Sequence, residues 1–237
     1  MAAFPTADLT CPDPGGCPVA IRLPRLRTTS LRVGTAWYRV FNATWGYDEY
    51  NPGYGDARFS PIDDPAGGGR LPSMYLASTP AAALLETVFH DVHHDSRRII
   101  YERNLRGMLL AHVRAPALAT LADLRDPELA RVGLRREHVV SSDAEHYPCT
   151  RRLAVAALAQ PHGRRNVQGL IWHSRQAELA GQDPVEVMVL YGGPRYSSTR
   201  GSWGLFGPGA SSLLEGPGRL VADEISESLS AVIELEA

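Results

Sequence analysis

The chain has 237 residues, a formal net charge of −2 and 44% apolar residues, values typical of a globular protein with one sizeable core. This charge excludes an overall basic field, so we expect no direct nucleic-acid partner and no membrane partner. All 24 basic residues are Arg, which excludes lysine chemistry and leaves Arg or backbone N–H groups to hold any anion. The three Cys, the lack of a signal-peptide pattern and the lack of a long apolar run predict a cytoplasmic protein.

The N-terminal third combines irregular segments with short strands. Residues 1–30 are rich in Pro and are expected to form an irregular arm, followed by one domain over residues 31–237. The apolar and aromatic runs Ala36–Phe41 and Ser73–Ala77 are typical of strands. The intervening residues 42–72 are rich in Gly, Pro and Asp and predict a long loop, which in a compact domain is often functional.

A helix is predicted directly after the second strand, over residues 79–95. Pro80 suits the first helical position, after a Ser or Thr that can cap the helix. Glu86 lies about 100° around the helix axis from Leu85, at the edge of the apolar stripe, where a carboxylate can face a cleft. The stripe consists of Ala81, Leu85, Val88, Phe89 and Val92.

The rest of the chain continues with short elements in no regular strand–helix–strand rhythm. We predict strands at 108–114 and 118–124, helices at 126–131 and 150–160, strands at 168–173 and 185–191, an irregular stretch at 194–219, and a helix or a strand within 220–236. No dinucleotide-binding or phosphate-loop glycine motif is present. A mixed α+β domain is therefore favoured over a doubly wound parallel sheet.

Four polar side chains stand at positions that suggest chemistry. Arg39 lies inside the apolar run WYRVF, where a charge is costly unless it is paired. Tyr75 lies in the strand before the predicted helix, Glu86 lies on that helix, and Ser174 follows the strand GLIWH. Each also has an ordinary explanation: a solvated strand face for Arg39, a helix-surface carboxylate for Glu86, and a serine that caps a turn for Ser174. No nucleophile-elbow motif surrounds Ser174, which argues against a serine nucleophile.

A second arrangement of ligand-type residues suggests a metal-dependent hydrolase as an alternative. These residues fall within the predicted helix and are Glu86, His90, Asp91, His93, His94 and Asp95. They lack the HExxH spacing of a zinc protease, and a solvated helix end rich in His and Asp is the better explanation, so the hydrolase is kept as a minor alternative. Cys11 and Cys17 in CPDPGGC have no further ligand nearby in the sequence, so zinc is not expected there.

Taken in order, these segments resemble the RES domain, a family named after an Arg, a Glu and a Ser. The matching stretches, over roughly residues 36–192, are YRVF with Arg39, ARF with Arg58, MYLASTPAAALLE with Tyr75 and Glu86, YPCTRRLAVAAL, and NVQGLIWHSR with Ser174. The chain departs from the family in one loop, where the usual Gly-Arg-Trp-Asn pattern is replaced by Ala57, Arg58, Phe59 and Ser60.

The resemblance implies an ADP-ribosyltransferase-like α+β fold, with mixed or antiparallel sheets and flanking helices. It implies cleavage of the nicotinamide–ribose bond of NAD+ and transfer of ADP-ribose to phosphate or water, by the toxin of a toxin–antitoxin pair. NAD+ is then the substrate, no cofactor or catalytic metal is needed, and an Xre-like antitoxin is the expected protein partner. A protein acceptor for ADP-ribose, a degenerate fold that only binds a partner, and a homodimer remain open alternatives.

The candidate residues suit this chemistry. Breaking the bond leaves an oxocarbenium-like cation at the ribose, which the carboxylate of Glu86 would stabilise. Arg39 and Arg58 supply fork-shaped donors for the pyrophosphate, and the Tyr75 ring offers a flat wall for nicotinamide. Ser174 would form a hydrogen bond to Glu86 or to the ribose and fix its orientation. Glu86, Ser174 and Arg39 are thus the catalytic candidates, and Arg39, Arg58 and Tyr75 the NAD+-binding candidates.

Overall fold

The fold was analysed on a computed structural model, which describes residues 5–21, 25–90, 92–93, 96–162, 165–193, 195–196 and 202–235. The helices within these residues are α1 (Pro18–Ile21), α2 (Pro80–Leu85), α3 (Glu128–Arg131), α4 (Arg136–Val139), α5 (Tyr147–Ala159), α6 (Arg175–Leu179) and α7 (Gly216–Ser228). The strands are β1 (Thr28–Leu31), β2 (Ala36–Asn42), β3 (Ile62–Asp63), β4 (Arg70–Leu71), β5 (Ser73–Ala77), β6 (Ile99–Tyr101), β7 (Met108–Arg114), β8 (Ala119–Asp123), β9 (Pro161–His162), β10 (Arg165–Asn166), β11 (Gly169–His173), β12 (Glu186–Tyr191), β13 (Gly204–Ser212) and β14 (Val232–Glu234).

A mixed sheet forms the centre of the domain. Within the described residues it has eight strands in the order β1-β8-β11-β12-β5-β2-β7-β13. Its neighbouring strands run antiparallel except β8 and β11, which are parallel. Small two-stranded sheets pair β3 with β4, β9 with β10 and β6 with β14. The predicted α+β class, with a mixed sheet and flanking helices, is confirmed.

Side chains alternate between two apolar cores on opposite faces of this sheet, as the two-residue period of a strand requires. In β5, Met74 and Leu76 enter one core, while Ala77, with Tyr75 packed beside it, enters the other. The larger core also takes the apolar side chains of α2, α5, α6 and α7. The helices therefore cover the face of the sheet to which Tyr75 belongs.

The sheet opens between β5 and β2, two neighbouring strands in its interior that lie wholly within the described residues. β2 is paired with β7 along its whole length, from Ala36 to Asn42. Its pairing with β5, in contrast, is limited to Tyr38 and Ala77. The second half of β2 and the first half of β5 are free to diverge, and the gap between them provides space for a ligand.

The predicted irregular arm is partly structured. Thr28–Leu31 forms β1, an edge strand that pairs antiparallel with β8, and Pro18–Ile21 forms the short α1. The β-branched threonines at the start of β1 favour an extended backbone. The expectation of an arm without regular structure is therefore wrong for residues 18–21 and 28–30, whereas residues 1–4 and 22–24 lie outside the described residues.

The predicted helix over residues 79–95 is shorter than expected. It ends at Leu85, and Glu86 is its C-cap, with φ −82° and ψ 0°. The Thr87 hydroxyl donates to the Ala83 carbonyl at 2.6 Å, a local side-chain bond that is common where helices bend or end. Phe89 is still buried, so the apolar stripe continues through turns rather than through a helix.

The C-terminal segment is more regular than its composition suggests. The stretch 194–219 was expected to be irregular, but Gly204–Ser212 forms β13, which pairs with β7. The pairing register shifts between Leu205 and Ala210, and the intervening Gly207 and Gly209 have φ values of 71° and 102°, which only Gly adopts readily. The final segment forms both a helix, α7, and a strand, β14.

None of the helices in the described ranges combines the length and the apolar character that a bilayer crossing requires.

Candidate active site

The gap between β2 and β5 contains a cleft with a cavity volume of about 440 Å³, within the range of about 300–1,000 Å³ typical of small-molecule sites. Four of the five predicted site residues line it: Arg39, Arg58, Tyr75 and Glu86. The fifth, Ser174, is fully buried directly behind Glu86. The fold thus brings together residues that are up to 135 positions apart in the chain, from 39 to 174.

A short hydrogen bond joins Glu86 to Ser174. The Ser174 hydroxyl donates to Glu86 Oε1 at 2.5 Å. Ser174 Oγ also accepts the backbone N–H of Ala177 at 3.1 Å and so caps α6. Ser174 therefore caps a helix and bonds to Glu86 at the same time, as each of the two expectations for it requires.

The surroundings of Glu86 act on its carboxyl group in opposite directions. Burial raises the pKa of Glu86 above its usual value, while the Ser174 hydrogen bond and the nearby His90 and Arg58 partly offset that rise. The net result is a raised pKa, because desolvation penalises the charged form more than these partners stabilise it. A carboxyl with a perturbed pKa in a cleft is a frequent mark of a functional site.

Arg58 is fixed by the segment that follows α4. Its Nη1 donates to the Val139 carbonyl at 3.0 Å and to the Ser142 hydroxyl at 2.7 Å. Its guanidinium lies over the Tyr147 ring, 5.1 Å from the ring centre. These contacts use one end of the guanidinium, so the side chain is held in position at the edge of the cleft.

Arg39 organises a loop as well as lining the cleft. Its Nη1 donates to the carbonyls of Gly46 and Tyr47, at 3.3 and 2.6 Å, and its Nη2 donates to the carbonyl of Glu49 at 2.6 Å. Burial lowers the pKa of Arg39 to about 10, so it remains a cation at neutral pH. The side chain that was expected to face the pyrophosphate thus also braces the loop after β2.

The loop with the altered family pattern forms a closed turn. Ala57 and Ser60 exchange backbone hydrogen bonds at 2.8 and 3.3 Å. Phe59 is fully buried and packs on Trp172, with ring centres 4.8 Å apart. The Ser60 hydroxyl lies 3.0 Å from the Tyr75 hydroxyl. The replaced residues therefore have defined packing partners, and they present Arg58 to the cleft.

Two further residues of the cleft were missed in the sequence. Trp172 and Gln176 both line it, and the Trp172 ring meets the edge of Tyr75 with centres 6.3 Å apart. Trp172 lies two positions before Ser174, and strand alternation would have placed both on one face. The buried Gln176 Oε1 has no hydrogen-bond partner among the described residues.

The histidine-rich stretch does not assemble a metal site in the described part of the chain. Within the described residues, no group of three or more metal-ligating side chains with adjacent ligand atoms includes Glu86, His90 or His93. Asp91, His94 and Asp95, the other members of that hypothesis, lie outside the described residues.

The fold and the cleft define a mixed α+β domain in which a half-buried glutamate, bonded to a buried serine, and two arginines line one ligand-sized opening. A family model for the RES domain matches residues 31–197, and the chain belongs to the RES domain family. It is similar in structure to a chain in the crystal structure of the M. tuberculosis MbcT–MbcA toxin–antitoxin complex, with a TM-score of 0.54 and 16% identity over 84% of this chain and 92% of that chain. No curated protein sequence matches the chain. The predicted family is therefore confirmed.

Proposed function

We propose that this protein cleaves the bond between nicotinamide and ribose in NAD+ and transfers ADP-ribose to phosphate or water. The observation that carries the proposal is the Glu86–Ser174 pair, held at 2.5 Å in a cleft that Arg39, Arg58 and Tyr75 also line. Membership of the RES domain family supports the same substrate.

The cleft offers a distinct wall for each part of NAD+. Tyr75 and Trp172 form an aromatic corner that suits the flat nicotinamide ring. The buried, unpaired Gln176 Oε1 can accept an N–H from the carboxamide of that ring. Arg39 and Arg58 suit the pyrophosphate, because a planar guanidinium donates two parallel hydrogen bonds to phosphate oxygens.

The reaction requires one bond to break and one to form at the same ribose carbon. The electron pair of the C–N bond leaves with nicotinamide, which neutralises the charge on its ring nitrogen. The ribose then carries oxocarbenium character, which the Glu86 carboxylate stabilises. An oxygen of phosphate or water bonds to that carbon, and a water attacker loses its proton to solvent. Glu86 must be ionised in this step, and the Ser174 hydrogen bond favours that form.

We further propose an antitoxin protein, Xre-like as the family resemblance implies, as the partner that covers the cleft. The similar chain comes from a toxin–antitoxin complex. In this protein Trp45 lines the cleft and is 38% exposed, and the 61% exposed Tyr54 ring lies 6.2 Å from it. Exposed aromatic pairs of this kind are enriched at protein interfaces.

Incubation of the purified protein with NAD+, with and without phosphate, tests the proposal. We expect free nicotinamide in both reactions, with ADP-ribose in water and phosphorylated ADP-ribose when phosphate is the acceptor. Nicotinamide release accompanied by ADP-ribose attached to added protein would instead identify a protein ADP-ribosyltransferase. Intact NAD+ after long incubation with folded, partner-free protein would favour a fold that only binds a partner.

A further inference from the structure

Three cysteines and one histidine from distant parts of the chain converge beside α5. They are Cys11, Cys17, His146 and Cys149, and their ligand atoms all lie within 4.8 Å of one another. Cys149 Sγ is 3.8 Å from His146 Nδ1. Cys11 and Cys17 alone are too few ligands for a zinc site. The fold supplies the other two ligands from more than a hundred residues away.

The spacing of these atoms fits one small tetrahedral ion. Zinc binds sulfur at about 2.3 Å and imidazole nitrogen at about 2.0 Å, so neighbouring ligand atoms in a tetrahedron are about 3.5–3.8 Å apart. The observed Sγ–Nδ1 distance of 3.8 Å is close to the roughly 3.5 Å expected for a sulfur–nitrogen pair. An iron–sulfur cluster would spread its thiolates over several metal and sulfide atoms, and the 4.8 Å limit leaves no room for that.

The surroundings resemble those of a structural zinc site. Cys17 and Cys149 are buried, and Cys149 is fully so. Glu145 Oε1 lies 3.7 Å from His146 Nε2, so a carboxylate faces the ring nitrogen opposite the proposed metal-binding one, as is usual for a zinc-bound histidine. Cys17 is set by a turn in which its N–H donates to the Asp13 carbonyl at 2.9 Å.

The cluster joins the N-terminal arm to the helix that supports the active-site loop. His146 precedes α5 and Cys149 lies in its first turn. In the same turn, the Thr150 hydroxyl donates to the Arg58 carbonyl, and Tyr147 lies under the Arg58 guanidinium. A metal bound here would therefore fix the start of α5 and, through it, the position of Arg58 at the cleft.

We propose that Cys11, Cys17, His146 and Cys149 bind one structural Zn²⁺ that fastens the arm to the start of α5. All four protein ligands are supplied, which leaves no open coordination position, and this is the pattern of structural rather than catalytic zinc. The site is separate from the proposed reaction, because none of the four ligands lines the cleft.

Zinc analysis of the full chain tests this proposal. The protein should be purified without chelator and without a histidine tag, and its metal content measured by mass spectrometry. We expect equimolar zinc, and X-ray absorption should show three sulfurs at about 2.3 Å and one nitrogen at about 2.0 Å. Folded protein that contains no zinc and takes up none when zinc is added would overturn the proposal, as would iron at the site or a disulfide between two of these cysteines.

Two variants separate this site from its surroundings. His146→Gln should lose most of the zinc, whereas His138→Gln should keep it, because His138 lies on α4 and its ring bonds to Arg135. If His146→Gln fails to fold, cobalt exchanged into the wild type still reports on the site, through intense thiolate-to-cobalt absorption. The zinc measurements are independent of NAD+ turnover, so inactive protein with equimolar zinc would contradict the proposed function and not this one.

Discussion

Ser174 and Glu86 are joined through a hydroxyl that serves two elements at once. The Ser174 O–H donates to Glu86 Oε1 at 2.5 Å, and its oxygen accepts the N–H of Ala177 at 3.1 Å. The start of α6 is therefore tied directly to the carboxylate at the end of α2. Because Ser174 is fully buried, its hydroxyl is shielded from solvent, and the hydrogen bond orients the half-buried carboxylate toward the cleft.

Removal of the charge on Glu86 should greatly slow turnover while the fold persists. In Glu86→Gln the amide still accepts the Ser174 hydrogen bond, but it cannot stabilise the ribose cation. We expect kcat to fall by about 100-fold or more, the order found when one preorganised electrostatic group is removed. Nicotinamide release and the melting temperature are the measurements.

Expression in a bacterium provides a second measurement for the same variant. Wild type should slow growth and lower cellular NAD+, and Glu86→Gln should relieve both effects. The matched control is Glu137→Gln, a change of an exposed glutamate on α4, which should remain toxic. Equal toxicity from the Glu86 variant would separate the growth effect from this carboxylate.

Ser174→Ala should move the acid limb of the pH profile to higher pH. Glu86 acts as a carboxylate, so kcat/KM falls as the pH drops through its pKa. The Ser174 hydrogen bond lowers that pKa, which burial has already raised. Its loss raises the pKa further, and protonation inactivates the variant at a higher pH than the wild type. The measurement is kcat/KM for NAD+ from pH 4 to pH 8.

The loss of a helix cap must be separated from this effect, because Ser174→Ala also removes the cap of α6, at a cost of about 1 kcal/mol. Thr79→Ala is the matched control. Thr79 caps α2 by accepting the Ala82 N–H at 3.1 Å, but it does not line the cleft. Both variants should melt lower, and only Ser174→Ala should shift the acid limb. A shift of equal size in Thr79→Ala would show that loosened helices, not the hydrogen bond, cause it.

Six strands of the central sheet, β2, β5, β7, β8, β11 and β12, were located from the sequence because their signal is local, whereas the edge strand β1 and the short two- and three-residue strands were not. Ser73–Ala77 is observed with the predicted bounds, since an apolar run ends at a helix-capping pair. The helix after it was predicted too long, because Phe89 remains buried after the helix ends at Leu85. The buried residues after Leu85 recur at helical spacing in the sequence although the backbone there is no longer helical. β13 was missed because its glycines form a bulge rather than a loop.

Sequence motifs identified the site residues but not the contacts between them. Glu86 and Ser174 were chosen from their segments, but their hydrogen bond depends on how α6 packs near α2. The bracing role of Arg39 depends on the path of the loop after β2. The cysteine–histidine cluster had no sequence signal, because Cys17 and His146 become neighbours only when the arm packs against α5.

Tyr75 should contribute through its ring rather than through its hydroxyl. The hydroxyl lies 3.0 Å from Ser60 Oγ, and burial raises the pKa of Tyr75 to about 12, so it stays neutral at physiological pH. Tyr75→Phe keeps the ring and should change KM for NAD+ by less than about threefold, whereas Tyr75→Ala loses a stacking surface of about 0.5–1.5 kcal/mol and should raise KM up to about tenfold. A large kcat loss in the Phe variant would assign the hydroxyl a part in the reaction.

Arg39→Lys should weaken both a loop and the grip on the pyrophosphate. A lysine cannot reproduce the planar fork that reaches the carbonyls of Gly46, Tyr47 and Glu49. Because hydrogen bonds from a charged group contribute about 1.5–3 kcal/mol each, we expect a lower melting temperature. We also expect kcat/KM for NAD+ to fall about 10- to 100-fold, since about 1.4 kcal/mol corresponds to a factor of ten.

A shortened substrate distinguishes the two roles of Arg39. Nicotinamide mononucleotide has the bond to be cleaved but lacks the pyrophosphate. If Arg39 binds the pyrophosphate, Arg39→Lys should lower kcat/KM for NAD+ much more than for the mononucleotide. The control is Arg195→Lys: Arg195 is a buried arginine that pairs with Asp64 and donates to the Leu158 carbonyl at 3.0 Å, away from the cleft. This control should lose stability with the preference between the two substrates unchanged. If Arg39→Lys lowers kcat/KM equally for both substrates, Arg39 only braces the loop after β2 and does not bind the pyrophosphate.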